Sequence, residues 1–215
     1  LWGMLSLMRG LTYSLRVVPV CSSFTVLMSD MCWLYLYIES MLSQTRPHVF
    51  FMSECLLDTE TKSRLENRHN FVTEMIGEKE RIWAAIRNTV PYTRRKDLEQ
   101  KGITSIWLQF GTGSKKYMII GAYREFKRLG VEGSRDVSQQ ILRWNKFMER
   151  VHSFVISSNM ECHLLGDLNL NCEKWQQLGC RNKNWPYTKM VDELYDKLIN
   201  GAGFTLSENK GPTWI

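Results

Sequence analysis

Two short apolar runs, more than a hundred residues apart, each stop on a carboxylate, and this constrains the fold more than any other feature of the chain. Val49-Phe50-Phe51-Met52 gives way to Ser53-Glu54. Cys162-His163-Leu164-Leu165 gives way to Gly166-Asp167-Leu168-Asn169. Runs this short that fail to alternate with polar residues read as strands buried on both faces. Carboxylates that terminate central strands converge at one edge of a layered sheet, where ligand sites form.

The other periodic segments supply the layers. Ile103–Phe110 and Lys116–Tyr123 are β-type runs flanking Gly111-Thr112-Gly113-Ser114, a connection of hairpin length. Within Gln139–Ile156, the residues Ile141, Trp144, Met148, Val151 and Val155 recur at steps of three and four, the stripe of an amphipathic helix. Arg143, Lys146 and Arg150 occupy its other face. Thr188–Asn200 reads as a second helix, with Val191, Leu194 and Leu198 inward and Gly201 past its end. Arg81–Asn88 admits either state: Ala84-Ala85 favours helix, while Ile82, Trp83 and Ile86 allow strand. Pro91–Lys96 reads as a polar, basic loop. The expected class is a mixed α/β (α+β) domain.

Composition removes the competing classes. At 44% hydrophobic the 215-residue chain can bury a core, so it is no disordered tail, and 14 Gly with 5 Pro exclude a collagen-like or linker chain. The length fits one large domain. Six cysteines with no C-x-x-C pair are too sparse for a disulfide scaffold and suit reduced core thiols in an intracellular protein. Cys162, His163, Cys172 and Cys180 match no zinc-ligand spacing. Residues 1–44 carry only Arg9, Arg16, Asp30 and Glu39 as charges. Val17–Ile38 superficially resembles a membrane span, yet Pro19, Ser22, Ser23, Ser29 and Asp30 interrupt it, and a central Asp is costly in a bilayer. A buried strand at Thr25–Met28 followed by a core helix is the reading taken, with an N-terminal membrane anchor as the alternative. No basic stretch precedes a small-residue cleavage site, so a nuclear or cytoplasmic protein is expected rather than a secreted one. The chain opens on Leu1, as a fragment would. Residues 1–23 read as a poorly defined extension and 24–215 as the domain.

Charge is unevenly spread. Lys and Arg number 28 against 22 Asp and Glu, a net +6. Between Gly111 and Arg150 nine basic residues face four acids, which accounts for nearly the whole excess. A polyanionic partner would explain the cluster, and so would a solvated basic face.

The ordered set strand-Ser-Glu, strand-Tyr-Arg and strand-Gly-Asp-Leu-Asn resembles the exonuclease–endonuclease–phosphatase family, and more narrowly the endonuclease domain of non-LTR (LINE-type) retrotransposons. The stretches that carry the resemblance are Arg46–Glu54, Gly102–Trp107 (GITSIW), Ile120–Glu125, Leu164–Asn169 (LLGDLN) and Gly211-Pro212-Thr213, over residues 38 to the end. The resemblance implies a four-layered α/β-sandwich and Mg²⁺-dependent attack of water on a DNA phosphodiester, with Mn²⁺ as a substitute ion. It implies that Glu54 binds the metal and that Asp167 orients or deprotonates the attacking water. Asn169 and the Tyr123 hydroxyl would contact the scissile phosphate. Arg124, Lys127, Arg128 and Thr213 would meet the DNA backbone, although Arg124 could equally be solvated. No small-molecule cofactor is implied.

Two departures accompany it. The family's first strand ends in a metal-site Asn; here Phe24–Ser29 would be that strand, which puts Asp30 at the metal. The family ends on strands bearing Asp and His, and no His follows Leu164 in this sequence. The expectation is therefore a sandwich lacking its last strands, with the reverse transcriptase that accompanies such domains absent and DNA nicking weak or lost. A phosphatase of the same fold and a non-catalytic remnant that at most binds nucleic acid are the competing functions.

Overall fold

The structure is a computed structural model. It describes residues 4–6, 38–40, 42, 47–53, 59–76, 82–113, 115–125, 134–158, 160–168 and 188–207. Among these, the strands are β1 (Met4–Ser6), β2 (Val49–Ser53), β3 (Phe71–Met75), β4 (Ile82–Arg87), β5 (Tyr92–Arg94), β6 (Thr104–Thr112), β7 (Lys115–Tyr123), β8 (Glu161–Asp167) and β9 (Thr205–Ser207). The helices are α1 (Thr59–Arg68), α2 (Ser134–Ser158) and α3 (Thr188–Glu193), the last running on as a π-helix over Leu194–Gly201. One sheet has the order β5-β6-β7-β8-β1-β9 and the other β2-β4-β3.

The expected α/β sandwich is what forms, and strand periodicity explains its layers. On β6, Trp107 faces one way while Ile106, Leu108 and Phe110 face the other. Met118, Ile120 and Ala122 of β7 and Cys162 and Leu164 of β8 join Trp107 against Trp144, Phe147, Met148 and Val151 of α2 and against Met190, Leu194 and Leu198. Ile119, Tyr123 and Leu165 join the opposite face, where they meet Val49 and Phe51 of β2 and Ile82, Ala84 and Ile86 of β4. The outer face of the small sheet, with Phe50, Met52, Trp83, Ala85 and Phe71, is covered by Leu65 of α1 and by Ile38 and Leu42. The layers are thus helix, large sheet, small sheet, helix. Central strands lie between two cores, which is why their sequences are continuously apolar.

The β7–α2–β8 unit is a parallel crossover. Tyr117 pairs with Glu161 and Tyr123 with Asp167, so β7 and β8 end together. A parallel pair needs such a helical return.

Several expectations change. Pro91–Lys96 is not a loop: Tyr92–Arg94 pairs with Leu108–Phe110 as β5. Its polar side chains are satisfied laterally, Tyr92 Oη donating to Glu74 at 2.7 Å and Arg94 to Glu74, Glu99 and the Met75 carbonyl at 2.8–3.0 Å. The ambiguous Arg81–Asn88 is a strand, β4, whose Ala84 and Ala85 face two different cores. Helix α2 starts at Ser134, five residues before the expected bound at Gln139. Gly201 lies inside the last turn of its helix rather than after it. Met4–Ser6, within the stretch read as an extension, pairs with β8 and β9. The Thr25–Met28 strand lies outside the described residues, as does most of the Val17–Ile38 segment. Among the described residues no helix is long and apolar enough to cross a membrane.

Candidate active site

The site is built where β2, β7 and β8 end. Parallel pairing sets Tyr123 directly beside Asp167, and the antiparallel β6 sets Thr104 on the other side of Tyr123. The small sheet is brought to this end by Gly121, two residues before Tyr123. A Cβ on Gly121 would lie 2.5 Å from the Phe51 ring and 3.2 Å from Ile82. Ile82 is the register partner of Ser53, so the Ser53 end of β2 packs beside the last residues of β7. The other end of β4 leads to Tyr92, which pairs with Phe110, itself opposite Tyr117 at the start of β7. Strands β2, β7 and β8 therefore run toward a common end.

Gly166 fixes how closely β8 approaches there. Its φ is +125°, and a Cβ at this position would stand 1.9 Å from the Ala122 carbonyl oxygen. Only glycine accepts both conditions. The glycine of the Gly-Asp motif is thus a backbone requirement.

Arg124 follows Tyr123 and is fully buried, at 0% exposure. Its Nε donates to the Leu168 carbonyl at 2.5 Å and its Nη1 to Gln140 Oε1 at 2.9 Å. Gln140 Nε2 donates in turn to the Glu125 carbonyl at 3.0 Å. The guanidinium therefore joins the exits of β7 and β8 to the first turns of α2. The sequence left this residue as a DNA-backbone contact or a solvated charge; at 0% exposure it is not a solvated charge.

Tyr123, at 5% exposure, packs its ring between the two sheets. For Asp167 the backbone is described, at the last position of β8. Glu54, Asp30, Asn169, Lys127, Arg128 and Thr213 lie outside the described residues. Among the described residues no three His, Cys, Asp or Glu side chains gather as a metal site. Cys162 is a core residue whose thiol burial pushes up to about 12, so it stays protonated at neutral pH and is a poor metal ligand. His163 instead sits 3.1 Å from Glu161.

The basic segment is not one surface. Lys115 and Lys116 lie at the hairpin tip, the opposite end of β7 from Tyr123. Exposed Arg143 reaches Gly102, just before the start of β6 and hence at the Tyr123 end, with exposed Lys101 beside it. Sequence reasoning missed Gln140, Gly121 and Gly166 as site-building residues. A glycine inside a β-run was the available signal for the two glycines; none marked Gln140.

The chain is similar in fold to several solved structures. With truncated Caenorhabditis elegans TDP2 it shares 14% identity over 67% of this chain and 59% of that one, at a TM-score of 0.47. With the Neisseria 3′ phosphatase NExo bound to product DNA hairpin it shares 14% over 68% and 60%, at 0.46. With the human Nocturnin catalytic domain carrying a bound sulfate anion it shares 11% over 64% and 56%, at 0.45. The chain spans less than two thirds of the length of each of these. No protein-family model and no curated protein matches the sequence.

Proposed function

We propose that this chain hydrolyses phosphodiester bonds of DNA with Mg²⁺ or Mn²⁺, as a nicking endonuclease of the non-LTR retrotransposon type. The observation that carries the reading is the shared end of β2, β7 and β8, where Tyr123 stands beside Asp167 and Gly166 holds the two strands in close contact. The donors assigned to the ion, Glu54 and Asp30, are carboxylates, and an all-oxygen set fits a hard dication that keeps several waters. When bound, such an ion supplies charge stabilisation at the phosphate. Asp167 orients the attacking water and takes its proton. Asn169 and the Tyr123 hydroxyl donate hydrogen bonds to phosphate oxygens, as uncharged donors that do not compete for the metal. Lys127, Arg128 and Thr213 are the assigned backbone contacts, and Arg143 and Lys101 add basic charge at the Tyr123 end of the large sheet.

The retroelement assignment is supported by the GITSIW and YREF stretches. Supercoiled plasmid incubated with the chain and Mg²⁺ should be nicked slowly. Glu54→Gln or Asp167→Asn should each reduce nicking by roughly 10²- to 10⁴-fold. Release of phosphate from inositol phosphates without nicking would move the assignment to a phosphatase.

A further inference from the structure

We propose that Arg124 is a positioning residue for this site: its buried guanidinium fixes the Asp167-Leu168 exit of β8 against the start of α2. The inference rests on reading Asp167 and Asn169 as groups at the reacting phosphate.

Burying a guanidinium costs several kcal/mol unless its donors are satisfied. Arg124 is at 0% exposure, and the partner its Nε has at β8 is the carbonyl of Leu168, the residue between the two assigned groups. That carbonyl lies just past the last ladder residue of β8, where sheet hydrogen bonds no longer define the chain's path. The second arm is held as firmly. Gln140 points its amide nitrogen at the Glu125 carbonyl, which leaves its oxygen facing Arg124 Nη1. The circuit runs from the Glu125 backbone through Gln140 and Arg124 to the Leu168 backbone, so β7, α2 and the β8 exit move as one. Arginine suits this task because its planar fork presents donors in two fixed directions at once; a lysine keeps the charge but offers a single mobile point. A methionine would fill much of the volume and lose the direction. Small misplacements of a reacting group are expensive in rate, so a clamp one residue away acts on turnover.

Arg124→Lys and Gln140→Met test the clamp, the latter being the milder change if the former fails to fold. Three quantities are read on the full chain: thermal unfolding, amide exchange over residues 166–169 compared with the centre of β6 and β7, and the kcat and KM of Mg²⁺-dependent plasmid nicking. Both variants should unfold cooperatively and exchange faster at 166–169 alone. Each should lose roughly 10- to 100-fold in kcat with KM nearly unchanged, the scale seen when partners behind a site's direct ligands are removed. Unchanged exchange at 166–169 overturns the clamp, and so does a raised KM with intact kcat, which would mean Arg124 touches DNA. A wild-type chain that nicks nothing overturns the functional reading instead, and amide exchange then decides the clamp alone.

Discussion

At Gly166 the backbone, rather than a side chain, determines the site. A methyl group there meets the Ala122 carbonyl oxygen, and φ of +125° is strained for any L-residue. Gly166→Ala should therefore destabilise the chain by roughly 2–4 kcal/mol in urea unfolding and abolish nicking together. Cys162 makes a separate prediction about pH. Burial raises its thiol from 9.0 to about 12 in the folded chain. Between those values the unfolded thiol ionises while the folded one keeps its proton, so stability falls as pH rises from 9 to 12 and is unaffected below 9. The urea midpoint against pH checks this, and Cys162→Ala should flatten part of the slope. At this scale the sequence was partly legible. Asp167 stood out because a carboxylate ended an apolar run. Arg124 did not, because one buried arginine beside a strand end looks the same in sequence as an exposed one.

Strands β6, β7 and β8 and helix α2 could be read from periodicity, since each presents apolar residues to a core in a regular order. Strand β5 could not. Its Tyr-Thr-Arg has no apolar pattern, and it is a strand because Glu74 and Glu99 receive the Arg94 guanidinium and Glu74 the Tyr92 hydroxyl, contacts 5 to 20 residues away in sequence. Helix α1 and strand β3 were not recognised either: α1 buries only Thr61 and Leu65, too few for a stripe. Arg94 is 12% exposed between its two acids, so the cluster sits between a surface pair and a buried one. Arg94→Met should cost about 1–3 kcal/mol, measured by chemical unfolding, with nicking per folded molecule little changed because β5 is at the far edge of the large sheet.

For the molecule as a whole, two sheets stacked with helices outside bring strand ends that are distant in sequence to one place. The layering also divides the basic segment between opposite ends of β7. Lys115 and Lys116 are eight or so residues from Tyr123, about 25 Å along the strand. Replacing both with Ala should leave DNA affinity within about twofold, whereas Lys101→Ala with Arg143→Ala should weaken binding and reduce the salt slope by about one per lost phosphate contact. A filter-binding series in salt distinguishes the two ends. The proposed activity at the shared end of β2, β7 and β8 is metal-dependent phosphodiester hydrolysis. Its most direct test is nicking of supercoiled plasmid, with chain in excess over DNA, compared with and without Mg²⁺ for wild type, Glu54→Gln and Asp167→Asn. Slow nicking that requires Mg²⁺ is expected from wild type, and its loss in both variants while their unfolding stays close to wild type. Nicking that persists in either variant, or that proceeds equally without the divalent ion, would contradict it.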